Sequence, residues 1–105
     1  MTIHRSLAAG RWRELTRAQQ LGNIGSEYTR ARKWEEKNNH EQRQRALERA
    51  LELIDLTLEH DPNKEICRLR ELTGDLYLQS HLYSVSLKEL EDYTTQFVIY
   101  EHQRN

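Results

Sequence analysis

A chain of 105 residues is long enough for one domain with a modest core and too short for two, so residues 1–105 read as a single unit. Apolar residues make up 36% and charged residues 31%, a polar balance, yet the leucines and aromatics recur periodically, which argues against disorder; one proline, four glycines and many Glu, Leu, Arg and Gln point to an all-α chain. The net charge of -1 hides an asymmetry: residues 1–50 carry eleven Lys/Arg against six Asp/Glu, or +5, and residues 51–105 five against eleven, or -6, a division that serves packing between halves or a basic surface for nucleic acid.

In chain order, residues 1–15 show no sustained period and read as an arm with room for one short helical turn; Trp12 between Arg11 and Arg13 could stack on a base but is read as an anchor pinning the arm to the body. Thr16-Arg17-Ala18-Gln19 has the form of a capping box, in which the hydroxyl and the amide side chain satisfy each other's backbone N–H groups. A helix is therefore predicted over 17–38, with Ala18, Leu21, Ile24, Gly25, Tyr28 and Ala31 on one face. Gly22 and Gly25 each cost about 1 kcal/mol against alanine inside a helix. Gly25 lies on the apolar face, where a missing side chain lets a neighbouring backbone come close.

A second helix is predicted over 40–60 with Asn39 as its cap; its apolar residues spread too widely for one neighbour, so it contacts two. Asp61-Pro62 marks a boundary, aspartate as N-cap and proline at the first helical position, opening a helix over 62–79 with Ile66, Leu69, Leu72, Thr73, Leu76 and Tyr77 inward and Leu78 outward. Ser86-Leu87-Lys88-Glu89 is a second capping box, opening a helix over 87–102 with Leu87, Leu90, Tyr93, Phe97 and Tyr100 inward and Ile99 outward; 103–105 should fray. Four amphipathic helices with short connections imply an antiparallel up-and-down four-helix bundle behind a short N-terminal arm. Leu78, Leu82, Tyr83, Val85 and Ile99 then form a candidate exposed apolar patch, and a homodimer through it is the expected assembly.

The chemistry these residues support is limited. Gly22-Asn23-Ile24-Gly25 sits inside a helix, so its glycines cannot present a phosphate-binding nest. His4, His40, His60, His81 and His102 fall at helix ends or loops, none paired at helical spacing as a metal site needs, and no Glu-x-x-His is present; no metal and no cofactor are expected. Cys67 alone makes neither an internal disulfide nor a zinc cage, and no histidine is placed to activate it. No catalytic residue is assigned, and an enzyme is not the favoured reading. The row Gln20, Asn23, Glu27, Arg30 and Trp34, faced by Asp55 of the second helix, is the candidate polar seam: a hydrogen-bonded strip between helices, or a ligand site if one exists. No apolar run reaches the roughly 18 residues of a membrane span and no signal peptide is visible at the amino terminus, so a cytoplasmic protein is expected.

The segment from Trp12 through Trp34, with Glu52-Leu53-Ile54-Asp55-Leu56-Thr57-Leu58, resembles small uncharacterised helical proteins of prokaryotes, a family that implies no activity. The chain also resembles HEPN-type helical bundles, often paired with nucleotidyltransferases in toxin–antitoxin systems. Their nuclease members carry an Arg and a downstream His with four to six residues between; no arginine here has a histidine at that separation, so the resemblance implies a noncatalytic relative. Two function classes follow. One is a noncatalytic, self-associating interaction module that presents a helix face to a protein partner. The other is an RNA- or nucleotide-associated accessory protein using Arg11, Arg13, Arg17, Arg30, Arg32, Arg43 and Arg45.

Overall fold

The computed structural model describes residues 5–104, with side chains from residue 10 onward except those of His102 and Arg104. Five helices make up the fold: α1 Arg5–Glu14, α2 Arg17–Glu36, α3 His40–His60, α4 Lys64–Leu78 and α5 Leu87–Arg104. The chain is all-α, with no strand among the described residues.

The expected arm contains a helix. Its sequence, Arg-Ser-Leu-Ala-Ala-Gly-Arg-Trp-Arg-Glu, is built mostly of good helix formers but shows no repeating apolar period to mark it. Trp12 docks it. Its indole is buried, its Nε1 donates to Thr57 Oγ1 of α3 at 2.8 Å, and its carbonyl accepts from Gln20 Nε2 of α2 at 2.9 Å. Trp12 therefore anchors the segment, as its place in the sequence suggests.

The Thr16 capping box forms, with Gln19 N donating to Thr16 Oγ1 at 3.1 Å and Thr16 N to Gln19 Oε1 at 2.9 Å. α2 stops at Glu36, two residues before the predicted end, because Asn38 takes a left-handed conformation (φ 59°) that leads into the Asn39 cap of α3. The boundary at Asp61-Pro62 stands, but the cap moves. Asn63 Oδ1 accepts from Glu65 N and Ile66 N, whereas Asp61 closes α3 through its own N–H to Thr57 and pairs with Arg17. Proline forces the residue before it out of the helical region, so Asp61 ends one helix and a cap after the proline starts the next. The Ser86 box opens α5, and the helix runs to Arg104 rather than fraying at 103; Asn105 lies outside the described residues.

α2 is central. It packs antiparallel on α3, with Glu27 against Arg49 and Glu35 against Arg43, and antiparallel on α5, with Thr29 and Arg32 against Glu91. α3 in turn packs antiparallel on α4, with Glu48 against Tyr77 and Asp55 against Arg70, and α1 rests on α3. Leu21, Ile24, Tyr28 and Ala31 of α2 meet Ala46, Leu47, Ala50 and Ile54 of α3 and Ile66 and Leu69 of α4 in the core. Tyr28 is fully buried, its hydroxyl 2.7 Å from Thr73 Oγ1, and desolvation pushes its phenol far above the usual range.

The approach of α2 and α5 depends on glycine. A Cβ at Gly25 would stand 3.0 Å from Thr94 Cβ and overlap Thr94 Oγ1, so the two backbones come nearer than any side chain at 25 permits. This contact turns Glu91 and Thr94 of α5 toward α2 and leaves Tyr93 39% and Tyr100 59% exposed, against the expectation that both tyrosines point inward. Of the residues expected inward, Leu87 and Leu90 are buried and Phe97 packs against the core; the tyrosines are displaced because small Thr94 fits the glycine and a tyrosine does not.

Candidate functional site

The residues of the polar seam divide. Gln20 is buried and spends its amide on the Trp12 carbonyl. Glu27 is buried and accepts from Arg30 Nη1 at 2.7 Å and Arg49 Nε at 3.1 Å, so its charge is matched from α2 and α3 together. Asn23 is exposed and bonds only back to Gln19 O on its own helix. Half-buried Trp34 carries the Lys37 ammonium over its ring at 5.2 Å from the centroid. Asp55 does not join the seam: it accepts from Arg70 Nε at 2.7 Å, facing α4. The spacing along α2 shows which residues share a strip, but the rotation of α3, which decides whether Arg49 or Asp55 meets that strip, depends on its packing against two neighbours.

The basic first half is largely consumed by such pairs. Arg17 meets Asp61, Arg30 meets Glu27, Arg45 meets Glu41 at 3.6 Å, and Arg32 binds Glu91 Oε1 and Glu36 at 2.9 and 2.8 Å. Arg32 holds the Glu91 carboxyl below its ordinary range, more than burial raises it, and Thr29 adds a hydrogen bond in the same direction. Arg43 is buried. It binds Glu35 at 2.8 Å and reaches the Leu76 carbonyl at 3.3 Å, while Gln44 donates to the Tyr77 carbonyl at 2.9 Å, so the start of α3 caps the end of α4. Of the seven arginines named for nucleic acid, only Arg11 and Arg13 have no carboxylate partner among the described residues, and Trp12 between them faces the core rather than solvent.

A different surface is left open. The links α2–α3 and α3–α4 are three residues each, whereas eight residues, 79–86, join α4 to α5, and these last two helices are not closely packed on each other. Between them runs a groove of about 440 Å³ lined by Glu65, Arg68, Leu69 and Leu72 of α4, Val85 of the linker, and Glu89, Leu90 and Tyr93 of α5. Tyr93 ties its two walls, its hydroxyl donating to Glu65 at 2.7 Å; desolvation and then this carboxylate push the phenol up to about 12.

The linker beside the groove is held by a buried carboxylate. Asp75 accepts from Ser80 Oγ at 2.7 Å, Leu82 N at 2.9 Å and Tyr83 N at 3.2 Å, and these bonds, Ser80 first, keep its carboxyl below the ordinary range. Gln79 and His81 both take left-handed φ of 56°, a conformation non-glycine residues enter only when their surroundings hold them there. Tyr83 lies with its ring over the Arg68 guanidinium at 4.6 Å and donates to Glu71 at 2.9 Å. Leu78 and Leu82 are 73% and 78% exposed.

The candidate apolar patch is thus divided. Leu78 and Leu82 are free, Tyr83 is engaged with α4, Val85 is half-buried in the groove wall, and Ile99 sits elsewhere, in a cleft between α2 and α5 with Gly22, Ser26 and Val98. Of the apolar groove residues, Leu69 and Leu90 are buried in the core as expected, whereas Leu72, also expected inward, is half-buried at the groove edge. The long apolar linker is the sequence signal that marks this seam as different from the others.

Cys67 is exposed on α4, and no group of three His, Cys, Asp or Glu among the described residues is placed to hold a metal ion. No helix among them is long and apolar enough to cross a membrane. Comparison with protein families, with curated proteins and with solved structures finds no match.

Proposed function

We propose that this protein is a noncatalytic helical interaction module: an up-and-down four-helix bundle, braced by α1, that is left open along its α4–α5 seam and offers that side to protein partners. The observation that carries the reading is the contrast between seams. α2–α3, α2–α5 and α3–α4 pack closely and carry paired charges, while the α4–α5 side keeps a groove edged by half-buried Leu72 and Val85 and leaves Leu78 and Leu82 exposed. Exposed apolar surface that the fold leaves uncovered marks protein contact.

Self-association is assigned to Leu78 and Leu82. The Asp75 hydrogen bonds fix the linker backbone at Leu82 and Tyr83, so little backbone entropy is lost there on binding. A noncatalytic role fits the polar seam, since among the described residues every buried side-chain nitrogen or oxygen already has a hydrogen-bond partner. The RNA-associated alternative has less support, because five of its seven arginines neutralise carboxylates within the molecule.

Sedimentation equilibrium at about 1–100 µM tests the self-association. The mass should rise with concentration in the native chain and stay monomeric in Leu78→Asp/Leu82→Asp. Both positions are exposed, so the double variant should keep its helical signal. A native chain that is monomeric throughout removes self-association from the reading.

A further inference from the structure

We infer that the α4–α5 groove receives an amphipathic helix of about two turns, with basic residues flanking its apolar face, supplied by another protein. This rests on the interaction-module reading and names the partner for its open seam.

Length sets the first constraint. The α4 wall runs from Glu65 to Leu72, seven steps or about 10 Å at 1.5 Å per residue, which matches two turns of a helix lying along it. The lining sets the second. Half-buried Leu72 of α4 and Val85 of the linker, lying over the buried Leu69 and Leu90, give an aliphatic floor, the surface that accepts anchors spaced i, i+3 or i+4, and i+7. A helix seated there would touch α4 and α5 together, as α2 touches α3 and α5.

Charge selects among occupants. Among the lining residues Glu65 stands on one wall and Glu89 on the other, against one guanidinium, Arg68, which stacks on Tyr83. The surroundings share the sign: residues 51–105 carry five Lys/Arg and eleven Asp/Glu. A second copy presenting this same side would bring the same surplus of carboxylates toward itself, whereas a helix with lysines or arginines beside its apolar face meets them with opposite charge.

The probe is a fluorescein-labelled 14-residue helical peptide of leucine and lysine, compared with its leucine–glutamate counterpart by fluorescence anisotropy at about 0.15 M salt. The lysine peptide should bind at least about tenfold more tightly than the glutamate peptide. Val85→Asp should weaken it by about tenfold or more, with far-UV circular dichroism and the thermal midpoint reporting that the variant remains folded. Glu65→Lys should narrow the gap between the two peptides, and Ile99→Lys, in the other cleft, should change nothing. Equal binding of both peptides, or equal binding to the native chain and Val85→Asp, overturns the inference. So does a dimer that Val85→Asp dissolves while no peptide binds, because a second copy then fills the groove. If no peptide binds but the native chain is a dimer that Leu78→Asp/Leu82→Asp dissolves, the inference fails and the module reading survives; if the chain is also monomeric, both fail.

Discussion

Gly25→Ala should destabilise this protein, although alanine is the better helix former. In a helix interior the exchange gains about 1 kcal/mol from propensity. Against it stands the new Cβ, 3.0 Å from Thr94 Cβ where ordinary contacts lie at 3.4–4 Å, and overlapping Thr94 Oγ1. Thr94 Cβ is fixed to the α5 backbone, and its hydroxyl is bonded to the Leu90 and Glu91 carbonyls at 3.1 and 2.9 Å, so the strain is relieved only by moving α5 off α2. Overpacking of this kind costs about 1–3 kcal/mol, and the shift also stretches the Thr29 and Arg32 bonds to Glu91, so a net loss of about 1 kcal/mol is expected. Two internal controls share the chemistry without the clash. A Cβ at Gly22 would sit 3.7 Å from Val98 Cγ2, and one at Gly74 would meet nothing within 4 Å, so both alanine variants should gain up to about 1 kcal/mol. Urea titration followed by circular dichroism at 222 nm separates the three. A Gly25→Ala protein as stable as Gly74→Ala would refute the close approach of α2 and α5.

Three further outcomes are expected. Thr57→Val strands the buried Trp12 indole N–H, a loss of about 1–3 kcal/mol where the indole stays in place; hydrogen exchange should show α1 losing protection before α2, and unchanged α1 protection would contradict the anchoring role. Glu27→Gln should cost about 1–2 kcal/mol because two arginines lose their charged acceptor, while Asn23→Ala should stay within about 0.5 kcal/mol; equal effects in chemical denaturation would deny the division of the seam. The folded Glu91 carboxyl lies below its ordinary 4.5, so it adds stability above that pH that is lost as pH falls through the folded value, and Glu91→Gln should flatten this acid limb of the stability profile. Asp75 acts with the same sign below 3.8, and Asp75→Asn should speed amide exchange at Leu82 and Tyr83.

Local rules made much of this protein legible before its structure. The Thr16 and Ser86 capping boxes and the Asn39 cap are contacts within four residues, and each appears where the residue types require it. The α2 core face follows from period alone, and an anchor role for Trp12 follows from a lone indole beside a polar segment. Around proline the cap expected at Asp61 falls instead to Asn63, a division seen only in three dimensions: Asp61 closes α3 and Asn63 opens α4.

What the sequence determined by itself is therefore helices α2 to α5 and the inward side of α2, because hydrogen bonds and side-chain period act over a few residues. The tertiary structure decided how those helices are rotated and which seams close. Whether α3 offers Arg49 or Asp55 to α2, whether α5 turns Thr94 or Tyr93 toward its neighbour, and whether Leu72 ends in a core or at the edge of a groove depend on residues tens of positions apart competing for the same space. Gly25 joins the two levels. Its cost to the helix is readable in the chain, but the gain that offsets it exists only when Thr94, sixty-nine positions later, comes to lie against it.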